Sequence, residues 1–235
     1  VISIAVLGIS VSGTALVVYP GLKDLRRIPL YALLFACSLP ASYLAANSIP
    51  FDPARLVWDR LQLVFIALYS LALSVPFLLF GMIMAAALSV LSARSGAIYA
   101  SDLFGAGTGS LAVLLLLSLG GAENAIFSAS CLAAAAVLAT SRGFLRAAST
   151  ALIVSNILLL AMQPASIRPR MSPYKPLPIA LSFPGAEQLR TVHRPYARVD
   201  AFRSPAVHFA PGLSLTYLEP LPRQTGIAVD GGSIE

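Results

Sequence analysis

Length, composition and charge favour a membrane protein over an ordinary soluble domain. The chain has 235 residues, of which 57% are hydrophobic and 11% charged, whereas a soluble domain is about 45–50% apolar and about 25% charged. The net charge of +6 comes from basic residues scattered singly, without clustered aromatic residues, so we expect no nucleic-acid partner. The two cysteines, Cys37 and Cys131, lie in apolar segments without a C-x-x-C motif, which excludes a disulfide framework and a cysteine-based metal centre.

Six uncharged segments are long and apolar enough to predict membrane-spanning helices. They are, in chain order, Val1–Tyr19, Ile28–Ile49, Leu61–Leu91, Leu103–Ala122, Asn124–Ser141 and Ala147–Ile167. The third segment has 31 residues with Pro76 near its middle, and as a helix it would be about 46 Å long against about 30 Å of hydrocarbon. We expect one long helix there, tilted or kinked, and two short halves turning near the proline are the alternative.

The charges in the connecting loops predict an orientation. With six spans, one side of the membrane receives most of the basic loop residues, which are Lys23, Arg26, Arg27, Arg94, Arg142 and Arg146. The positive-inside rule assigns that side to the cytoplasm. Everything after Ile167 then lies on the opposite side, and a hairpin in the third segment would reverse the assignment.

A glycine run stands out in "IYASDLFGAGTGSLAVLLLLSLGG", residues 98–121, which contains Gly105, Gly107 and Gly109. A phosphate-binding loop needs a strand before the glycines, and none is predicted here because the glycines lie inside an apolar run. Gly105 and Gly109 are four residues apart and therefore share one helix face, where small residues allow close helix contact in lipid. The run thus favours helix packing over nucleotide binding.

Asp102 precedes the glycines and is a candidate functional residue, because an acid at membrane depth is costly. A structural alternative is that Ser101 and Asp102 begin the helix, where a carboxylate suits the free N–H groups. Asp102 also suggests an alternative function for the whole chain, which is transport or conduction. In a transporter or channel subunit, Asp102 and the kinked 61–91 helix would line a path.

The residues after the last span differ from the spans in composition and pattern. This difference divides the chain into a helical membrane domain, 1–167, and a β-rich domain, 168–235. Eleven of the 17 prolines lie at or after Pro164. Short apolar runs separated by turn-forming residues predict β-hairpins, and these runs are "LPIAL", "ARVDAF", "LSLTYL" and "TGIAVD". The alternation in "RVDAF" predicts a strand with one buried and one exposed face. His193 and His208 lack further ligands at a metal-binding spacing, so we expect exposed polar residues and no metal site.

Several segments together resemble bacterial membrane proteins whose spans are fused to a spermidine synthase-like domain. The glycine stretch is similar to their Y-x-x-D-L-x-G-A-x-x-G span, and the likeness continues in "VPFLLFGMIMAAALS" and "AVLGISVSGTA". After the last span, "SPYKPLPIAL", "ARVDAFRSPAVHFAPGLSL" and "RQTGIAVDGG" resemble the β-hairpin entrance of that domain. The Asp-Leu-x-Gly-Ala element and the "VDGG" ending are the most specific parts.

The resemblance implies a mainly α membrane bundle followed by a small β-hairpin segment that would precede a Rossmann-like methyltransferase fold. It implies a transferase that uses S-adenosylmethionine or its decarboxylated form as the donor. The protein would lie in the bacterial inner membrane with the lipid bilayer as its partner, and a homo-oligomer is possible. The resemblance places Tyr174, Lys175, Asp230 and Gly231 at the substrate entrance, and a purely structural role as a turn residue is the alternative for Asp230. Lys175 stands where soluble spermidine synthases have glutamine, and its charge would repel a cationic substrate. We expect the catalytic half to lie outside this chain. We therefore assign no catalytic residue within the chain and expect the chain by itself to be inactive.

Overall fold

The computed structural model describes residues 2–207, 214, 216 and 224–232. The first part is helical, and its helices are α1 (Ile2–Val18), α2 (Ile28–Ser48), α3 (Leu61–Val90), α4 (Ser95–Thr140) and α5 (Phe144–Met162). Four of them, α2 to α5, are long and apolar enough to cross a membrane, and α1 is a shorter apolar helix. The prediction of a helical, membrane-type first domain is confirmed at this level.

The long apolar segment forms one helix, as predicted, and α3 continues through Pro76. Its beginning is fixed by Asp59, whose carboxylate accepts hydrogen bonds from the backbone N–H of Leu61 at 3.0 Å and from Nε2 of Gln62 at 2.9 Å. These two bonds, the Gln62 one foremost, lower the pKa of Asp59 because they favour the charged carboxylate. Asp59, which precedes the N-cap residue Arg60, therefore satisfies one of the free backbone N–H groups at the start of α3.

The fourth and fifth predicted spans correspond to the two parts of α4, which are two helices joined across a kink, and the first of them begins earlier than the predicted Leu103. The helix begins at Ser95 and is interrupted at Gly120 and Gly121, where Gly121 has φ 80°. A positive φ favours glycine because it has no Cβ. The proposal that Ser101 and Asp102 begin the helix is wrong, since both lie inside α4, and the Ser101 hydroxyl donates to Ala97 O of the preceding turn.

The helices α1 and α3 approach each other closely, and small residues make this approach possible. A Cβ added at Gly8 would lie 2.9 Å from the Ser74 carbonyl oxygen and 3.0 Å from Phe77 Cβ. One added at Gly81 would overlap the Ser12 side chain. Close approach at small residues is the expected way for helices to associate in lipid. The sequence analysis did not single out this contact.

Residues 170–235 form a second compact unit together with residues 113–121, and residues 1–112 and 122–169 form the first. The second unit contains α6 (Pro176–Leu181), β1 (Glu187–His193), β2 (Arg198–Arg203) and β3 (Gly226–Val229). The strands form an antiparallel sheet in the order β1-β2-β3. A small core joins α6 to one face of the sheet and consists of Leu177, Ala180, Phe202 and Ala228.

The strand predictions for the second unit are confirmed in part. "ARVDAF" and "TGIAVD" contain β2 and β3, but "LPIAL" lies in the helix α6, where Pro176 occupies the first turn and suits a helix start. The strand β1 was missed because its residues are mostly polar. "LSLTYL" and His208 fall outside the described residues, apart from Ser214 and Thr216. His193 is half-buried on β1 rather than exposed.

Candidate functional site

The residues predicted at a substrate entrance meet around the turn after β3. Asp230 has φ 52°, and its carboxylate Oδ1 accepts a hydrogen bond from the backbone N–H of Arg198 at 2.8 Å. The backbone N–H of Asp230 in turn donates to the Arg198 carbonyl oxygen at 2.7 Å. Asp230 thereby closes the end of the β2–β3 pair, and short polar side chains tolerate this left-handed conformation.

Lys175 and Gly231 complete this group, which we call the Asp230 turn (Lys175, Asp230 and Gly231). Nζ of Lys175 donates to the Asp230 carbonyl oxygen at 2.5 Å, and the Leu177 N–H donates to the Gly231 carbonyl oxygen at 3.2 Å. Gly231 has φ 67°, and a Cβ there would lie 2.8 Å from Met171 Sδ. Tyr174 precedes Lys175 with a half-exposed ring. The structure thus brings together three of the four predicted residues, with Tyr174 adjacent in sequence.

A buried carboxylate lies on the sheet two residues from Arg198, and the sequence analysis did not select it. Asp200 is 0% exposed. Its Oδ1 accepts from Nε and Nη2 of Arg198 at 3.1 and 2.9 Å, from Thr191 Oγ1 at 2.6 Å and from Gln188 Nε2 at 2.8 Å. Its Oδ2 is buried and has no hydrogen-bond partner in the described part of the chain.

The Asp200 network (Gln188, Thr191, Arg198 and Asp200) is linked to the Asp230 turn through Arg198. The guanidinium of Arg198 contacts Asp200, and its backbone contacts Asp230. The predicted alternation in β2 sets Val199 and Ala201 against Arg198, Asp200 and Phe202, and the buried face is that of Asp200 and Phe202, whereas the apolar Val199 and Ala201 are only half-buried. A polar residue in an alternating strand gives no sign of a partner on the next strand, so the pairing was not visible in the sequence.

Asp102, Gly105 and Gly109 lie on the outer surface of α4. Asp102 is half-buried and makes no hydrogen bond or ion pair with other described residues. A Cβ added at Gly105 or Gly109 would meet nothing within 4 Å. The predicted helix packing at these glycines is therefore not made by a neighbouring helix within the described chain, and it stays a prediction about a contact with another molecule.

Neutral polar side chains join α2, α4 and α5 in the helical unit. Nδ2 of Asn156 donates to Ser130 Oγ at 2.8 Å, and Ser130 Oγ donates to the Ala36 carbonyl oxygen at 2.7 Å. All three residues are buried. Interhelical hydrogen bonds of this kind support helix association in lipid, as expected for Asn156 from its position within a span.

The ends of α2 and α5 lie together. The Tyr43 hydroxyl donates to the Ile167 carbonyl oxygen at 2.7 Å, and Nδ2 of Asn47 donates to the carbonyl oxygens of Ser166 and Arg168 at 3.0 and 2.9 Å. The rings of Tyr43 and Phe127 meet edge to face with centroids 6.3 Å apart. These contacts fix the turn through which the chain leaves the helical unit.

Comparisons with protein-family models, curated proteins and solved structures found no match to this chain. The function is therefore inferred from the geometry of the described residues and from the sequence. Those residues contain no group of three or more His, Cys, Asp or Glu side chains placed to hold a metal ion.

Proposed function

We propose that this chain is the membrane-spanning part and adjoining sheet of a spermidine synthase-like transferase that uses an S-adenosylmethionine-derived donor for aminopropyl- or methyl-type transfer. The observation that carries the proposal is the Asp230 turn. The resemblance assigns Lys175, Asp230 and Gly231 to one substrate entrance, and these residues meet although Lys175 and Asp230 are 55 positions apart in the chain. The likeness of the α4 glycine stretch to the spans of the same proteins supports it further.

The chemistry requires parts that this sheet does not supply. Transfer from a cationic sulfonium donor to an amine needs carboxylates that hold the amine. It also needs a deprotonated acidic side chain that acts as a base and takes the proton of the attacking amine. No strand among the described residues leads into a helix through a glycine-rich loop of the kind that binds a nucleoside. Donor binding is therefore assigned to a separate Rossmann-like fold, and the role of this sheet is to shape the acceptor side of the site.

Six membrane crossings account best for the contacts between α2 and α5. The C-terminal end of α2 lies beside the turn that follows α5, so the two helices end at the same side of a membrane. If α4 crossed once, α5 would end at the side opposite to α2. Two crossings by α4, with the reversal at Gly120 and Gly121, bring both ends to one side, and the positive-inside rule then assigns this side to the exterior of a bacterial inner membrane.

Lys175 offers a direct test of the substrate at the Asp230 turn. We expect membranes containing the gene product that includes this chain to transfer label from a labelled S-adenosylmethionine-type donor to an amine. Replacing the lysine by Lys175→Gln removes a positive charge, so the KM for a polyamine acceptor should fall while kcat changes less. Arg203→Gln is the matched control, because Arg203 is an exposed cation on β2.

Two results would overturn the proposal. One is the absence of any donor binding or transfer by the gene product under conditions in which it remains folded. The other is tight binding of the donor to the 235-residue chain alone, measured by calorimetry, because the described residues do not provide a nucleoside site.

A further inference from the structure

An open groove runs along one face of α5, with a volume of about 720 Å³. Its lining contains small residues and four larger apolar side chains, Val154, Leu158, Leu159 and Met162, of which Val154 and Leu158 have about half of their surface exposed. Its N-terminal rim is next to Arg146, an exposed cation that has no ion pair in the described part of the chain. The remaining groove residues include Ala147, Thr150, Ala151 and Ser155.

The chain also carries a helix face that complements this groove. Asp102, Gly105 and Gly109 are spaced by three and four residues and therefore share one face of α4. The glycines offer depressions with nothing within 4 Å, and Asp102 has no cation paired with it among the described residues. An unpaired acid on the outer face of an apolar helix is costly in a membrane, so this face is expected to meet a cation.

We propose that the α5 groove of one copy of this chain receives the Asp102–Gly105–Gly109 face of α4 from a second copy. In a two-fold pair each copy gives both surfaces, so the contact is made twice. Asp102 pairs with Arg146 of the partner subunit, and the two glycines receive the larger apolar side chains of the groove. The proposal rests on the six-crossing arrangement above, in which α4 and α5 both begin at the cytoplasmic side and lie parallel.

The depth of each residue agrees with this pairing. Asp102 lies seven residues from the start of α4, or about 10 Å along the helix, and Gly105 and Gly109 lie about 15 and 21 Å along it. Val154 and Leu158 are ten and fourteen residues from the start of α5, which gives about 15 and 21 Å as well. Each glycine is therefore level with one large apolar residue of the groove, and a long arginine side chain spans the remaining offset to Asp102.

Disulfide crosslinking in nanodiscs tests the contact. In a background with Cys37→Ser and Cys131→Ser, the pair Gly105→Cys and Val154→Cys should give a covalent dimer under mild oxidation. The matched control pair is Gly105→Cys and Leu132→Cys, because Leu132 is more exposed than Val154, at 70% against 50%, but lies on the second part of α4 outside the groove. We expect dimer from the first pair and about tenfold less from the control, a preference of the size that one good contact provides.

Charge reversal supplies an independent readout that does not depend on cysteines. Asp102→Arg should abolish the dimer seen by light scattering, and Asp102→Arg combined with Arg146→Asp should restore it. Three results would overturn the proposal: a crosslink formed within a single chain, equal crosslinking of the control pair, or an oligomeric state that neither reversal changes. The transferase assay above reads a different part of the molecule, so failure of one proposal is distinguishable from failure of the other.

Discussion

The helical unit and the sheet bury polar groups in different ways. Among the described residues, the fully buried polar side chains of the helices are neutral, as at Ser12, Ser130 and Asn156, and most donate to backbone oxygens. Two buried atoms of this unit, Glu123 Oε2 and Ser141 Oγ, have no hydrogen-bond partner among the described residues. The sheet buries the charged carboxylate of Asp200 and surrounds it with four hydrogen bonds. The helical unit thus satisfies most of its buried polar groups with short neutral contacts, whereas the sheet buries a charge beside a cation that still reaches solvent.

The largest expected effect is in the sheet, because removing one partner of a buried charge pair leaves the other uncompensated. Asp200→Ala should lower the free energy of unfolding of the second unit by about 2–4 kcal/mol, somewhat less than for a fully buried pair because Arg198 remains partly exposed. Chemical denaturation followed by hydrogen exchange of β2 measures it. Glu187→Ala is the control, since this acid on β1 is exposed, and equal losses from both variants would show that burial of Asp200 is unimportant.

Within the helical unit, the next largest effect should come from filling the α1–α3 contact. Gly81→Leu places a side chain where Ser12 lies and should destabilise the bundle by about 1–3 kcal/mol, the usual cost of overpacking. Thermal unfolding in detergent is the measurement. Gly13→Leu on α1 is the matched control, since nothing lies within 4 Å of its Cβ, and a similar loss of stability from it would contradict the assigned packing.

A smaller effect should follow from removing a neutral interhelical hydrogen bond. Asn156→Leu takes the donor from Ser130, and we expect a loss of about 0.6–1.7 kcal/mol, as for comparable bonds in lipid. Steric trapping or detergent unfolding measures it. Thr140→Val is the control, because the Thr140 hydroxyl bonds within its own helix, to the carbonyl oxygens of Ala136 and Val137. If Asn156→Leu lowered the free energy of unfolding as much as Asp200→Ala does, the two units would not differ in how strongly they depend on their buried polar groups.

The smallest effect concerns pH at the start of α3. The pKa of Asp59 is lowered in the folded chain by its hydrogen bonds with Gln62 and Leu61. Its contribution to stability is therefore complete above the ordinary pKa of an aspartate and is lost as the pH falls through the lowered value. Asp59→Asn and Gln62→Leu should each flatten the acid limb of the stability curve slightly, since Asp59 is exposed. An acid limb unchanged in both variants would contradict this role.

The sequence predicted the features that depend on local composition. The apolar lengths predicted the helical segments, including the single long helix α3, and the alternating runs predicted β2 and β3. Features that depend on residues distant in the chain were missed, because nothing in the spacing of Gly81 or Asp200 indicates Ser12 or Gln188 as neighbours. The Asp230 turn was reached through the resemblance alone, and the helix at Pro176 was mistaken for a strand because six residues show little periodicity.

Site-directed labelling tests most directly whether the helical unit crosses a membrane six times and leaves the sheet outside. Single cysteines would be placed at Ser92, Ala122, Arg142 and Ser172 in the background without Cys37 and Cys131. The account predicts that a membrane-impermeant maleimide labels Ala122→Cys and Ser172→Cys in intact cells, and Ser92→Cys and Arg142→Cys only after permeabilisation. Labelling of Ala122→Cys and Arg142→Cys from the same side would contradict it.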